Sequence, residues 1–218
     1  MSDLSVRAKI AKRIARELED GQIVNLGVGI PTLIPDYIEP DKQVFLQTEN
    51  GLLGMGPTPP EEEIDMDIIS ASKQPVTILP GAALFDSAES FAMIRGGHID
   101  VAVLGALQVD QTGEIANWAV PGQNILGVGG AMDLVTGAKK IIVATIHVNK
   151  DGAPKLVKKL TYPSSGSRKV DMVVTDKAVF TFQDGKMRLV ELDPSCSLEE
   201  LKRITEAEFE IALNEDQQ

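Results

Sequence analysis

The residue that most suggests chemistry in this sequence is a carboxylate at the end of an apolar segment. Val44–Thr48 runs directly into Glu49, and Asn50-Gly51 follows. Asn and Gly accept left-handed backbone angles more readily than other residues, so the pattern predicts a sharp turn after a strand. Ligands bind at the carboxyl ends of strands in open α/β sheets, and Glu49 would lie at such an end. Spacing alone still favours the alternative, in which Glu49 is a solvated charge.

Two glycine-rich segments could bring backbone N–H groups close to a negatively charged ligand. The first is Asn25–Thr32, which contains Gly27 and Gly29 and also follows a strand-like run. Thr32 stands where dinucleotide-binding loops carry their third glycine, so an ordinary tight turn is the favoured interpretation. The second is Gly127–Leu134, in which three glycines precede a helical stretch. Its amides could point at a developing oxyanion, or its glycines could serve only close packing, and the sequence leaves both open.

Other reactive side chains are scarce. The two histidines, His98 and His147, lie far apart in the sequence, and the one cysteine, Cys196, lies beyond both. This spacing does not match a metal-ligand motif, so we expect no metal site. The Gly-x-Ser-x-Gly turn of the α/β hydrolases is absent from the sequence as well.

The elements that must position these residues read as alternating strands and helices. Six short runs rich in Val and Ile are nearly continuously apolar, which is typical of strands buried on both faces. They are Ile23–Leu26, Val44–Thr48, Val76–Leu79, Val101–Leu104, Ile141–Ile146 and Val170–Thr175. Helical stretches lie between several of them, and this alternation predicts a three-layer α/β/α fold with a mostly parallel sheet.

The two ends of the chain carry clearer local signals. Val6, Ile10, Ile14 and Leu18 recur every four residues and predict an opening helix that stops before Gly21. A second helix is predicted at Ser87–Arg95, with Asp86 and Glu89 as a capping box. Near the carboxyl end, Ala178–Gln183 and Lys186–Glu191 flank Asp184-Gly185, which predicts an antiparallel hairpin. A closing helix is expected from Ser197, with Leu198, Leu201 and Ile204 as its apolar stripe.

Composition restricts the class of protein further. The 218 residues carry 21 Lys and Arg against 32 Asp and Glu, a formal net charge of −11, and 4% of them are aromatic. This length fits one domain, which we take to be residues 1–218, with an aliphatic core. The acidic balance argues against nucleic acid as the main partner. The basic amino-terminal segment, the single cysteine and the absence of a long apolar run predict a cytoplasmic protein with no membrane segment.

Several motifs in order resemble the family I coenzyme A (CoA) transferases, specifically the B subunit of the 3-oxoacid and acetate/butyrate–acetoacetate type. The segment around Glu49 is similar to the Ser-Glu-Asn-Gly signature of that family, and the likeness covers nearly the whole chain. The matching segments are Gln47-Thr48-Glu49-Asn50-Gly51, Thr77–Gly81, Ser90–His98, Ala116-Asn117-Trp118 and Gly129–Leu134.

The resemblance implies a covalent mechanism in which Glu49 is the nucleophile. Glu49 would form an acyl-glutamyl anhydride and then a glutamyl–CoA thioester while CoA moves between two carboxylic acids. The backbone N–H of Gly130 matches the oxyanion donor of the family, and a second donor would come from an A subunit, in an expected heterotetramer. Contacts to CoA or substrate are implied for Asn25, Gly27, Gly29, Asn50, Gly51, Lys73 and Gly129. For Lys73, a solvated surface lysine is an equally good interpretation. No prosthetic group is needed, because CoA enters as part of the substrate.

Some positions depart from the family pattern and leave the acyl specificity open. Thr48 replaces the usual serine, Pro121–Asn124 lacks the lysine often found after Pro-Gly, and Tyr162–Gly166 differs from the usual Pro-Leu-Thr-Gly. Acetoacetate or another 3-oxoacid is the expected partner acid. Two alternatives stay open: an acyl-CoA hydrolase or hydratase that uses Glu49 as a base, and a non-catalytic CoA-binding subunit.

Overall fold

The structure is a computed structural model that describes residues 4–122 and 127–213. Within those residues, ten strands form one large sheet. They are β1 (Ile23–Leu26), β2 (Phe45–Thr48), β3 (Leu52–Met55), β4 (Ile78–Leu84), β5 (Val101–Leu104), β8 (Lys140–Ala144), β10 (Met172–Val174), β11 (Ala178–Gln183), β12 (Lys186–Leu192) and β13 (Glu210–Ile211). Their spatial order is β13-β12-β11-β10-β8-β5-β1-β2-β3-β4. A smaller sheet contains β6 (Gln108–Asp110), β7 (Ile115–Ala116) and β9 (Leu156–Val157).

The middle of the large sheet is parallel and antiparallel pairs flank it on both sides, while the short edge strand β13 pairs in parallel with β12. Strands β2, β1, β5, β8 and β10 pair in parallel. On one side β3 and β4 continue the sheet in antiparallel fashion, and on the other β11 and β12 form the hairpin expected from Asp184-Gly185. The predicted α/β class, with a mostly parallel sheet and an antiparallel hairpin near the carboxyl end, is therefore confirmed.

Helices cover the two faces of the sheet, because successive side chains on a strand point to opposite sides. The helices are α1 (Val6–Ala15), α2 (Ser87–Arg95), α3 (Ala131–Gly137) and α4 (Leu198–Arg203), with 3₁₀ helices at Ile30–Tyr37 and Glu61–Glu63. On one face, α1 and the longer 3₁₀ helix pack on Val101 and Val103 of β5. On the other face, residues of α2, α3 and α4 share one core cluster with the alternating β5 residues Ala102 and Leu104.

The predicted strand at Val76–Leu79 is displaced in the structure. The strand β4 begins at Ile78 and runs to Leu84, and most of its residues are exposed. It contains Pro80, which has no N–H to donate, and such a residue is tolerated at a sheet edge. The short apolar run had suggested a buried strand, whereas the chain uses the following residues to form an exposed edge.

Other boundaries differ by a few residues from the expectations. The opening helix ends at Ala15, and Leu18 lies beyond it but is buried. Strands β8 and β10 are shorter than predicted and end at Ala144 and Val174. Of the positions that depart from the family pattern, Gln123 and Asn124 lie outside the described residues. Within the described part of the chain, no helix is long and apolar enough to cross a membrane.

His147, one of the two histidines, is fully buried beside the sheet rather than at the site described below. Its ring nitrogens lie 3.0 Å from the hydroxyl of Thr175 and 2.9 Å from that of Thr205. Burial lowers the pKa of His147 to about 4, and the nearby carboxylate of Asp176 only partly opposes this. The folded state therefore holds His147 neutral over a pH range in which the unfolded chain binds a proton.

We expect this histidine to make the fold less stable in mild acid. Because the pKa of His147 is lowered on folding, its contribution is fully present above the unfolded value and is lost as pH falls towards about 4. Between pH 7.5 and 5 the loss amounts to about 2 kcal/mol of unfolding free energy. Urea unfolding of the wild type and of His147→Gln should show a weaker pH dependence in the variant. The exposed His98 provides the control, since His98→Gln should follow the wild type; equal pH dependence in all three proteins would contradict the assignment.

Candidate active site

A cleft of about 1090 Å³ opens at the carboxyl ends of β1, β2 and β5. The residues that follow these three strands form much of its wall, as expected for a ligand site in a parallel sheet. Further parts of the wall come from the longer 3₁₀ helix, from Met55–Thr58, from the turn around Ser70–Gln74 and from Val128–Ala131. The cleft therefore lies where the sequence places Glu49.

Glu49 is half-buried on a turn that side-chain hydrogen bonds fix on both sides. The hydroxyl of Thr48 donates to Oδ1 of Asn50 at 2.8 Å and accepts from the backbone N–H of Ala71 at 2.8 Å. The side-chain amide of Asn50 donates to the carbonyl of Ile69 at 2.7 Å. Thr48, a departure from the usual serine, keeps the hydroxyl that ties this turn to the neighbouring segment.

Gly51 completes the turn because no other residue fits there. Its φ is +121°, and a Cβ at this position would lie 2.0 Å from the carbonyl oxygen of Phe85. The N–H of Gly51 donates to Thr48 at 3.0 Å, and its carbonyl accepts from Phe85 at 2.9 Å. The Asn-Gly pair thus allows the chain to turn back into β3 immediately after Glu49, and the carboxylate stays at the cleft.

Asn25 brings an amide donor to this carboxylate from the neighbouring strand. It lies opposite Gln47 in the β1–β2 pair and is fully buried. Its Nδ2 donates to the side-chain oxygen of Gln47 at 2.6 Å, to the backbone oxygen of Gln47 at 3.2 Å and to Oε2 of Glu49 at 3.4 Å. The Asn25–Thr32 segment and the segment around Glu49 are therefore in contact.

Gly130 brings the Gly127–Leu134 segment to the same place. It immediately precedes α3, and a Cβ on it would lie 3.5 Å from Cγ of Glu49 and 3.3 Å from the ring of Phe91. Arg95 joins the two helices beside it, since its guanidinium donates to Asp133 at 2.6 Å and lies 5.9 Å from the centre of the Phe91 ring. The start of α3 is thereby held against the nucleophile candidate, with little space for a side chain on Gly130.

The other predicted contact residues divide into two groups. Gly27 and Gly129 line the cleft together with Asn25, Glu49 and Gly130. Among the described residues, Gly29, Asn50, Gly51 and Lys73 lie outside the set that lines it. Lys73 is exposed at the tip of the Ser70–Gln74 turn, between two residues that do line the cleft. The contacts predicted for all these residues stay predictions.

Two polar residues near Glu49, Gln47 and Ser90, lie in the segments that match the family but were given no role by the sequence analysis. Gln47 is buried within β2, and its Nε2 donates to the hydroxyl of Ser90 on α2 at 2.8 Å. The available signal was a glutamine inside an otherwise apolar strand run, since a buried polar side chain needs a partner.

Charged side chains are few along the cleft. Of the described residues that line it, Asp36, Lys42 and Glu49 are charged, and Lys42 pairs with Glu39 at 3.1 Å. An anionic ligand would therefore depend on backbone amides and polar side chains for most of its contacts. Within residues 4–122 and 127–213, no group of three or more His, Cys, Asp and Glu side chains is arranged to hold a metal ion.

The fold and this site define a member of a known enzyme class. Residues 7–202 match the family described as Coenzyme A transferase, and the chain belongs to that family. The beta subunit of acetate CoA-transferase from Escherichia coli K12 is 50% identical over 209 residues, which are 96% of this chain and 95% of the relative. The B subunit of succinyl-CoA:3-ketoacid coenzyme A transferase from Helicobacter pylori is 51% identical over 208 residues, 95% of this chain and 100% of the relative. The predicted resemblance to B subunits of this family is confirmed.

In some longer relatives, this chain matches only part of the polypeptide. Succinyl-CoA:3-ketoacid coenzyme A transferase 2B of mouse mitochondria is 48% identical over 210 residues, which are 95% of this chain but 40% of the relative. Among solved structures, the apoenzyme of the acyl-CoA transferase YdiF from E. coli O157:H7 has a TM-score of 0.78 at 25% identity, with 98% of this chain matching 44% of YdiF. Glutaconate coenzyme A-transferase of Acidaminococcus fermentans (TM-score 0.73, 18% identity, 98% of this chain and 90% of the other) shares the fold. So does the decarboxylase AibA/AibB (TM-score 0.69, 18% identity, 96% and 87%).

Proposed function

We propose that this chain is the B subunit of an enzyme that transfers CoA between short-chain carboxylic acids, with Glu49 as the covalent carrier. The observation that carries the proposal is the contact geometry of Glu49. Its carboxylate lies at the cleft, within 3.4 Å of the amide of Asn25, and its Cγ lies 3.5 Å from the position of a Cβ on Gly130. A non-catalytic CoA-binding subunit would have no need of a nucleophile at this position.

The chemistry proceeds in two balanced steps and their reversal. An oxygen of ionised Glu49 attacks the thioester carbonyl, the C–S bond breaks, and CoA leaves as thiolate from an acyl-glutamyl anhydride. The thiolate then attacks the glutamyl carbonyl, which forms the glutamyl–CoA thioester and releases the first acid as its carboxylate. An incoming carboxylate repeats the steps in reverse order and takes the CoA. One thioester replaces another, so little net free energy is needed.

Residues beside Glu49 have defined parts in this scheme. The amide of Asn25 donates to the carboxylate and fixes which oxygen is free to attack. The N–H of Gly130 stabilises the oxyanion of each tetrahedral intermediate, a kind of contact that is typically worth about 3–4 kcal/mol. The remaining predicted residues, Gly27, Gly29, Asn50, Gly51, Lys73 and Gly129, hold the substrate or shape the turn. CoA has many groups remote from the reacting thioester, and their binding energy can orient it for attack.

An A subunit is the expected partner, and a heterotetramer is the expected assembly. Relatives that match this chain over nearly their full length are named as beta or B subunits. The longer mouse relative contains a further segment in the same polypeptide. Because one oxyanion donor of the family belongs to the A subunit, the isolated chain should be inactive. The CoA donor is a short-chain acyl-CoA, and the acceptor acid is acetoacetate, another 3-oxoacid or acetate. The enzyme acts in the cytoplasm.

The experiment that tests the proposal is a search for the covalent intermediate. The chain is co-expressed with its A subunit, and the complex is incubated with acetyl-CoA, butyryl-CoA or acetoacetyl-CoA. Intact-mass spectrometry should then show one CoA added to this chain, mapped to Glu49. Addition of acetate or acetoacetate should remove the adduct and form the new acyl-CoA. A hydrolase that uses Glu49 as a base would instead form free acid and CoA without an adduct and without dependence on an acceptor acid.

A further inference from the structure

A chain of buried polar side chains leads from helix α2 to the nucleophile. The hydroxyl of Ser90 on α2 accepts a hydrogen bond from Nε2 of Gln47 at 2.8 Å. Oε1 of Gln47 accepts from Nδ2 of Asn25 at 2.6 Å, and the same amide reaches Glu49 at 3.4 Å. Ser90 and Asn25 are fully buried and Gln47 is 2% exposed, so water does not compete for these bonds.

The orientation of the Asn25 amide is set by the oxygens that surround it. Its Nδ2 faces the backbone oxygen of Gln47, the side-chain oxygen of Gln47 and Oε2 of Glu49. Its own Oδ1 is buried and has no hydrogen-bond partner among the described residues. Rotation of the amide by half a turn would place Oδ1 against three acceptors. A buried acceptor without a partner is unfavourable, so the contacts of Nδ2 must outweigh that loss.

The side-chain amide of Gln47 is held between Asn25 and Ser90. A glutamine amide has a donor end and an acceptor end of similar shape, and its partners distinguish them. Nδ2 of Asn25 can only donate, so it takes Oε1 of Gln47, and the hydroxyl of Ser90, which can donate or accept, accepts from Nε2. Without that hydroxyl, Nε2 loses the hydrogen bond that holds its end of the amide in place, and a buried donor is left without this partner. The reversed amide would bring Nε2 of Gln47 against Nδ2 of Asn25, and Asn25 would have to turn its oxygen towards Glu49.

We propose that Gln47 and Ser90 are positioning residues, which fix the Asn25 amide with its donor end towards Glu49 and thereby orient the attacking carboxylate. The proposal rests on the function proposed above, since it assigns these residues to the step in which Glu49 attacks the thioester. The hydrogen bonds of both side chains reach Glu49 only through the amide of Asn25. They influence the orientation of the Glu49 carboxylate through the directions in which the Gln47 and Asn25 amides point, and neither side chain is charged.

The test uses the complex with its A subunit and compares Ser90→Ala with Ser87→Ala. Both changes remove one hydroxyl from α2, but Ser87 is exposed and lies outside the chain of buried side chains. Misorientation of a nucleophile typically reduces the rate by roughly ten- to a hundredfold. We therefore expect Ser90→Ala to slow formation of the CoA adduct at least about tenfold in single turnover, with KM for the acyl-CoA unchanged, and Ser87→Ala to match the wild type.

A second pair of variants separates positioning from a general weakening of the core. Gln47→Met keeps the volume of the side chain but removes both ends of the amide, and it should slow adduct formation to a similar degree. The double variant Gln47→Met/Ser90→Ala should be no slower than Gln47→Met alone, because Ser90 acts only through Gln47. If Ser90→Ala does not assemble, Gln47→Met decides the question on its own.

The outcomes distinguish this proposal from the proposed function. If the wild type forms the adduct and both Ser90→Ala and Gln47→Met form it at the wild-type rate, the positioning role is wrong and the function stands. Independent, multiplying losses in the double variant would also overturn it. If the wild type forms no adduct with any of the three acyl-CoAs, the proposed function itself is wrong.

Discussion

Replacement of Glu49 by glutamine is expected to lower kcat/KM for CoA transfer by roughly 10⁴-fold or more, as found when an enzyme loses its nucleophile. Glutamine has nearly the same volume, and its side-chain oxygen can still accept from Asn25. It does not form an anhydride, so the CoA adduct should disappear from the intact-mass spectrum of the complex. Transfer is measured as the appearance of the new acyl-CoA after addition of the acceptor acid. Binding of CoA itself should change little.

Two further variants show which property of Glu49 matters. Glu49→Asp keeps the charge but withdraws it by one methylene, and a displacement of about 1 Å can cost about 10²-fold. Its activity should therefore fall between the wild type and Glu49→Gln. Glu61→Gln removes an exposed carboxylate from the short 3₁₀ helix at Glu61–Glu63 and should leave transfer unchanged. A Glu49→Gln complex that still formed the adduct and transferred CoA at the wild-type rate would remove Glu49 from the mechanism.

The parallel centre of the sheet could be predicted from sequence because its strands are buried on both faces. In β5, all four residues Val101–Leu104 are buried, and a run of this kind has few alternatives. The hairpin of β11 and β12 was equally clear, since Asp184-Gly185 is a strong turn signal. In both cases a local pattern is sufficient to define the element.

The antiparallel edge at β3 and β4 could not be predicted in the same way. Leu52–Met55 follows the turn at Gly51 too closely to read as a separate strand, and β4 contains Pro80 and Gly81. Most residues of β4 are exposed, so its sequence lacks the apolar pattern of a buried strand. The apolar run Val76–Leu79 instead led to a predicted strand that begins two residues before β4. The edge is defined by pairing with β3, which is a contact between distant residues and not a local preference.

The candidate site shows the same division between local and long-range information. The turn at Glu49 followed from Asn50-Gly51, because those residue types favour that backbone geometry. The approach of Gly130 to Glu49 joins residues far apart in sequence, and only the resemblance to a family predicted it. Gln47 and Ser90 were missed because their partners lie on different elements, and no spacing rule connects a strand residue with a helix residue 43 positions later.

Gly51→Ala is expected to destabilise the protein by about 4 kcal/mol, which is large for a single substitution. The added Cβ would lie 2.0 Å from the backbone oxygen of Phe85, and the φ of +121° disfavours any side chain. The chain would have to open the turn, and the hydrogen bond from Phe85 to Gly51 would be lost with it. Because the same turn holds Glu49 at the cleft, CoA transfer should fall even in the fraction of protein that folds.

Gly152→Ala is the matched control, since Gly152 has a φ of +81° but no atom within 4 Å of the added Cβ, so only about 1 kcal/mol of backbone strain is expected. Urea unfolding of both variants measures the difference; equal losses would mean that backbone strain alone, and not the contact with Phe85, requires glycine at position 51.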